Sequence, residues 1–134
     1  MKIEWFLFLA LCFSLVLNAC AFDVMRVELI PAQLKSDVSC GKEFVLTEDI
    51  KVSVGSGYTR TLKKGTRWNC VGKISQGVVY KTKDQVLTIE ASNVYEANIV
   101  VSDQKLVGYF LPVEDSFSPL DKPEILIMEK TVTQ

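Results

Sequence analysis

The stretch RWNCVGKISQGVVYKT (67–82) decides the fold. Trp68, Cys70 and Ile74 recur on one side of the run, the two-residue period of a strand with one face in a core. Gly72 interrupts that alternation and marks the expected place of a β-bulge. Ser75-Gln76-Gly77 reads as a turn. Gly77 to Thr82 then resumes with two valines and a tyrosine, residue types that fit a pleated, half-buried surface.

The same grammar extends in both directions. EFVLTEDIKVSV (43–54) holds one strand, or two broken near Glu48-Asp49. GSG (55–57) is a turn, YTRTL (58–62) a strand, and KKGT (63–66) a second turn carrying Gly65. In QVLTIEA (85–91), Val86, Thr88 and Glu90 oppose Leu87, Ile89 and Ala91. VYEANIVV (94–101) and KLVGYFL (105–111) follow, and Pro112 ends the last. Upstream, FDVMRVELI (22–30) alternates imperfectly and stops at Pro31. No segment beyond residue 22 sustains a 3.6-residue period, although a short helix around 31–37 or 91–97 stays open. Strands at spacings of about 8 to 12 residues predict an all-β domain over 22–112, a small antiparallel barrel or sandwich. Residues 113–134 read as a C-terminal extension with a candidate edge strand at 124–129. The apolar run Ile125 to Met128 either docks back on the domain or arms a partner.

At the other end, an apolar run from Trp5 to Leu17, broken by Ser14, leads into LVLNACAFD (15–23). The run has the length of a secretory h-region and is short against the roughly 20 apolar residues of a membrane span. Leu17-Asn18-Ala19-Cys20 resembles a bacterial lipobox, with cleavage after residue 19 and lipidation of Cys20. Asn18 departs from the usual −2 residue. Ala19-Cys20-Ala21 equally reads as an ordinary signal-peptidase site, with the mature chain beginning at Phe22. A third scheme keeps 5–22 as an uncleaved anchor. A bacterial lipoprotein cysteine carries more than one acyl chain, which makes the anchor stable.

The chain has 134 residues, and loss of Lys2 and Glu4 with a leader keeps the net charge at −1. That balance gives no electrostatic footprint for nucleic acid. Of the four cysteines, Cys12 lies in the h-region and Cys20 at its end. Cys40 and Cys70 remain as an even pair in an oxidising compartment, which predicts one disulfide. The alternative is two buried thiols. Closing this loop is worth about 3–4 kcal/mol. The absence of an N-x-[ST] sequon argues for a bacterial source.

The composition speaks against catalysis. There is no histidine, so neither a Ser-His-Asp nor a Cys-His arrangement is available. Glu48-Asp49 and Glu114-Asp115 are adjacent pairs, which solvate turns or point to opposite faces of a strand. No cofactor and no metal are expected. The informative side chains are aromatic and apolar. Tyr80, Tyr95, Tyr109 and Phe110 lie in strands; because Tyr109 and Phe110 are neighbours, one of them is expected to face outward as a contact point. Phe117 and Leu120, in a proline-stiffened segment, are candidate groove-docking residues, or a plug for this domain's own end.

VGSGYTRTLKKGTRWNCVGKISQGVVYK (54–81) resembles the bacterial Src-homology-3-like domains of envelope proteins, through Leu62, Lys64, Gly65, Thr66 and Gly77. KLVGYF (105–110) stands where such domains place a closing strand. The resemblance implies binding to cell-wall or protein ligands. The chain departs from it at Val78-Val79-Tyr80, where those domains carry a tryptophan. The expectation from all these features is a lipid-anchored protein of the bacterial envelope, on the periplasmic face of the outer membrane, or else periplasmic or secreted. It would serve as a binding or accessory subunit of an envelope assembly, with other envelope proteins or the cell wall as partners. The alternative is a secreted or anchored inhibitor that plugs an enzyme or receptor with a YTRTLKKGTRW (58–68) hairpin.

Overall fold

The computed structural model describes residues 3–5, 27–36, 40–41, 43–54, 58–84, 86–91 and 93–130. The leader's end with Cys20, the 22–26 part of the first expected strand and the GSG turn lie outside the described residues. The regular structure of the described chain is nearly all strand, with 61% of the described residues in strands against 3% in helix: β1 (Ile30–Pro31), β2 (Phe44–Leu46), β3 (Ile50–Ser53), β4 (Thr59–Leu62), β5 (Arg67–Ile74) and β6 (Gly77–Thr82), then β7 (Thr88–Glu90), β8 (Val94–Glu96), β9 (Asn98–Ser102), β10 (Lys105–Leu111), β11 (Ser116–Ile125) and β12 (Met128–Lys130). The principal sheet runs β1-β11-β10-β9-β6-β5-β2-β12, and β3-β4 and β7-β8 form separate two-stranded sheets. All pairs are antiparallel. The fold is therefore the expected antiparallel all-β class, and its sheets are not closed into a barrel.

The principal sheet nevertheless coils tightly. Five strands separate β11 from β12 across it, which in a flat sheet amounts to about 29 Å. Only Leu126 and Ile127 join the two strands, a reach of about 11 Å. The sheet must therefore curl until its far end meets the end of β11. The contacts agree: Leu46 pairs with Met128, Thr47 N–H donates to the Ile127 carbonyl (3.0 Å), and Val54 bridges Leu120, all in one antiparallel register. Between these contacts the ladder lapses opposite exposed Asp121, Lys122 and Pro123. Proline offers no N–H, and edge charges discourage pairing.

The bulge expected at Gly72 is present, as a register shift against β6 between Cys70 and Gly72. A second lies between Leu106 and Gly108. A Cβ at Gly108 would run into the Phe117 ring, and one at Gly72 into the Lys35 carbonyl and a Leu34 methyl. Both positions therefore require the smallest residue. The β9–β10 turn has φ 50° at Asp103 and 62° at Gln104. Positive φ at both central residues is what a tight type I′ hairpin demands.

Apolar side chains gather on both faces of the coiled sheet. The inner core contains Phe44, Trp68, Ile99, Leu106, Tyr109 and Leu111 among others. A smaller outer core joins Ile74, Val79, Val100, Phe110 and Phe117 under Ala32, with Ile30 and Leu34 packed against it. The segment 30–35 is thus a strap, held by the two pairs of β1 with β11, by Ala32 N–H to the Asp115 carbonyl, and by reciprocal Lys35–Lys73 main-chain bonds.

The strap overturns one expectation about contacts. Tyr109 and Phe110 do point to opposite faces, yet both are 1% exposed because each face has its own core. Phe117 and Leu120 are also buried, in the outer and inner core respectively. None of these four presents its side chain at the surface, and Phe117 and Leu120 pack into this domain itself, the other of the two expectations for them. Residues 113–130 join the β structure: β11 lies inside the principal sheet, between β1 and β10, and β12 forms its far edge over 128–130; residues 131–134 lie outside the described residues.

Candidate functional site

Cys40 and Cys70 stand at disulfide distance, with Cα atoms 5.8 Å apart. Cys70 is paired across the ladder with Tyr80. Tyr80 is half-buried, its ring meeting Phe44 edge-on at 4.8 Å and 74°. Burial pushes its phenol above the ordinary tyrosine range, and the Lys73 ammonium partly offsets this. Tyr80 keeps its proton throughout the physiological range and serves as an apolar ring with a hydrogen-bonding tip.

Beside Tyr80 opens a groove of about 650 Å³. Its described lining is Val78 and Tyr80 from β6, Val101 from β9, Asp103 and Gln104 from the β9–β10 turn, and Ile125 to Met128 from the β11–β12 crossing. The coil of the sheet creates it: the crossing lies over the end of the inner face without filling it. Leu126 is buried and turns inward, while Ile125 and Ile127 remain 68% and 46% exposed. Volume and character fit a ligand site, mostly apolar with few polar groups. Asp103 is the one charge among the described lining residues, and it makes no ion pair or hydrogen bond with a described residue.

Of the aromatic and apolar residues expected to bind, the structure brings only Tyr80 to this groove. Tyr95 lies half-buried on β8, opposite Ile89, with Asn93 Nδ2 donating to its hydroxyl at 3.4 Å. The remaining groove residues were not singled out as a group by sequence. The run Ile125 to Met128 carried the one usable signal, four apolar residues in a segment otherwise rich in charge and proline.

Comparison with family models, with curated proteins and with solved structures gave no match.

Charges cluster away from the groove. Arg67 binds Asp84 through its guanidinium (2.7 and 3.1 Å) and its main-chain N–H (2.8 Å), and Lys83 meets Glu43 at 2.8 Å. The Arg67 hydrogen bonds hold the Asp84 carboxyl below the usual carboxylate range. The 58–68 segment differs from the expected plug. It is no hairpin, because β4 pairs with β3 while β5 pairs with β2 and β6. Its loop is tied down: Lys64 N–H donates to Asp49 Oδ1 (2.7 Å), and Gly65 N–H to the Leu46 carbonyl (2.8 Å).

Proposed function

We propose that this chain is exported in a bacterium, anchored through lipid on Cys20 at the periplasmic face of the outer membrane, and acts without catalysis. Its role is that of a binding or accessory subunit of an envelope assembly, with other envelope proteins or the cell wall as partners. The observation that carries the reading is an export-type leader followed by Cys40 and Cys70 at disulfide distance. A disulfide persists in an oxidising compartment, which is where such a leader would deliver the chain. The seven residue steps from Cys20 to Val27 span at most about 25 Å, which keeps the domain close to the bilayer. The likeness of 54–81 to Src-homology-3-like envelope domains supports ligand binding. The groove beside Tyr80 supplies a surface for it.

The test is metabolic labelling with radioactive palmitate, beside a Cys20→Ser variant, followed by pull-down from envelope extracts. Label on the wild type and none on the variant is the expected result. An unlabelled wild-type chain overturns the anchor. Capture of one soluble hydrolase in stoichiometric amount, and no envelope protein, would replace the reading with that of an inhibitor.

A further inference from the structure

We infer that the edge of β12 left open by the described strands receives an extended segment of a partner protein as an added strand, with alternate side chains of that segment seated in the groove beside Tyr80. The inference deepens the binding role proposed above and is independent of the lipid anchor.

The main chain supplies the first argument. β12 is the last strand of the principal sheet and pairs on one side with β2. The Ile127 carbonyl accepts from Thr47 N–H on that side. Leu126 N–H points the other way, to the Gln104 carbonyl at 2.9 Å. Main-chain groups of successive strand residues alternate in direction. The N–H and C=O of Met128 therefore lie on the Leu126 side, beyond the reach of the β9–β10 hairpin, which ends at Asp103-Gln104. No described strand stands beside Met128 there. The neighbouring edge of β11 is blunted by Asp121, Lys122 and Pro123. Met128 itself is apolar, and the charges of β12 lie beyond it, at Glu129 and Lys130.

Side chains supply the second argument. Val78, Tyr80 and Val101 line the groove next to that edge, with Ile127 and Met128 flanking it. The outward N–H and C=O of Met128 beside an apolar groove suit an extended peptide, whose backbone bonds to them while every second side chain turns into the groove. A compact ligand would leave the ladder groups unused. Asp103 stands in the groove lining as its sole described charge. Charge complementarity selects a segment with apolar residues at alternate positions and a lysine or arginine at one end.

The probe is a peptide of about ten residues, valine alternating with threonine between terminal lysines, titrated calorimetrically into the full disulfide-bonded mature chain carrying Cys20→Ser. Two N-methylated forms of the peptide have the amide hydrogens removed along one edge or along the other. We expect one form to bind at least tenfold more weakly and the other within twofold of the parent. Met128→Pro removes the N–H at the edge and leaves the β2 ladder intact, so it should also weaken binding at least tenfold; circular-dichroism melting checks its fold. Asp103→Asn should weaken binding a few-fold and flatten its salt dependence. Failure of the parent peptide to bind, or equal binding of both methylated forms, overturns the inference. So does a dimer in light scattering that Met128→Pro dissolves, since a second copy would then hold the edge. Any of these results beside an intact palmitate label and envelope partner leaves the proposed function standing.

Discussion

Tyr109 and Phe110 are consecutive in β10, each 1% exposed, and they belong to different cores. The strap 30–35 makes this arrangement by covering the second face of β10. Truncating either side chain should cost about 3–5 kcal/mol, the range for buried large aromatics. Urea unfolding of Tyr109→Ala and Phe110→Ala measures it. If Phe110→Ala cost under 1 kcal/mol, the outer core would not contribute as a core.

Gly72→Ala tests the strap directly. A Cβ there meets the Lys35 carbonyl and a Leu34 methyl, and overpacking of this kind costs about 1–3 kcal/mol. The Lys35 amide, bonded to the Lys73 carbonyl at 2.8 Å, should lose protection in hydrogen exchange. The Ile99 amide in β9 should keep it. Equal loss at both would mean that the strap and the inner core unfold as one unit.

The Cys40–Cys70 link should contribute about 3–4 kcal/mol, chiefly by restricting the unfolded chain. Cys40→Ser with Cys70→Ser should lower the urea midpoint accordingly. A dithiol should have the same effect on the wild type and none on the double variant. Mass spectrometry of the non-reduced protein confirms the pairing.

The Asp84 carboxyl is held low by Arg67. A depressed folded-state pKa means stability that is fully present above the unfolded carboxyl pKa of about 3.9 and lost as pH falls through the lower folded value. Melting temperature should therefore fall as pH drops below about 4. Asp84→Asn should flatten part of that fall while leaving the curve above pH 5 parallel to wild type. The pair is exposed, so salt should shrink the difference.

Reading along the chain located strands well wherever the cause was local. The alternation of Trp68 and Cys70, the bulge at Gly72 and the turn at Gly65 all follow from side-chain period and backbone freedom within a few residues, while the break near Glu48-Asp49 is one of two readings of 43–54. The same reading leaves Phe117 and Leu120, in a segment stiffened by Pro119 and Pro123, either as docking residues or as a plug for this domain's own end. Pro119 and Pro123 are in fact accommodated in β11, whose outer edge needs no continuous ladder there. Tyr80 lines the groove, but the groove is built from three separated segments, 78–80, 101–104 and 125–128. No local pattern unites Val78, Val101, Asp103 and Ile127.

What the sequence alone determined is the all-β class and the approximate strands, because alternation and turn residues act over the length of one strand. It also set apart a cysteine pair that the structure places at disulfide distance. The tertiary structure decided which faces are covered. Alternation says that Tyr109 and Phe110 point apart; it cannot say that a strap 75 or more positions earlier waits on the far side. It decided the groove as well, since a sheet can meet its own far edge across Leu126 and Ile127 only by coiling, and coiling depends on pairings between residues as distant as Leu46 and Met128.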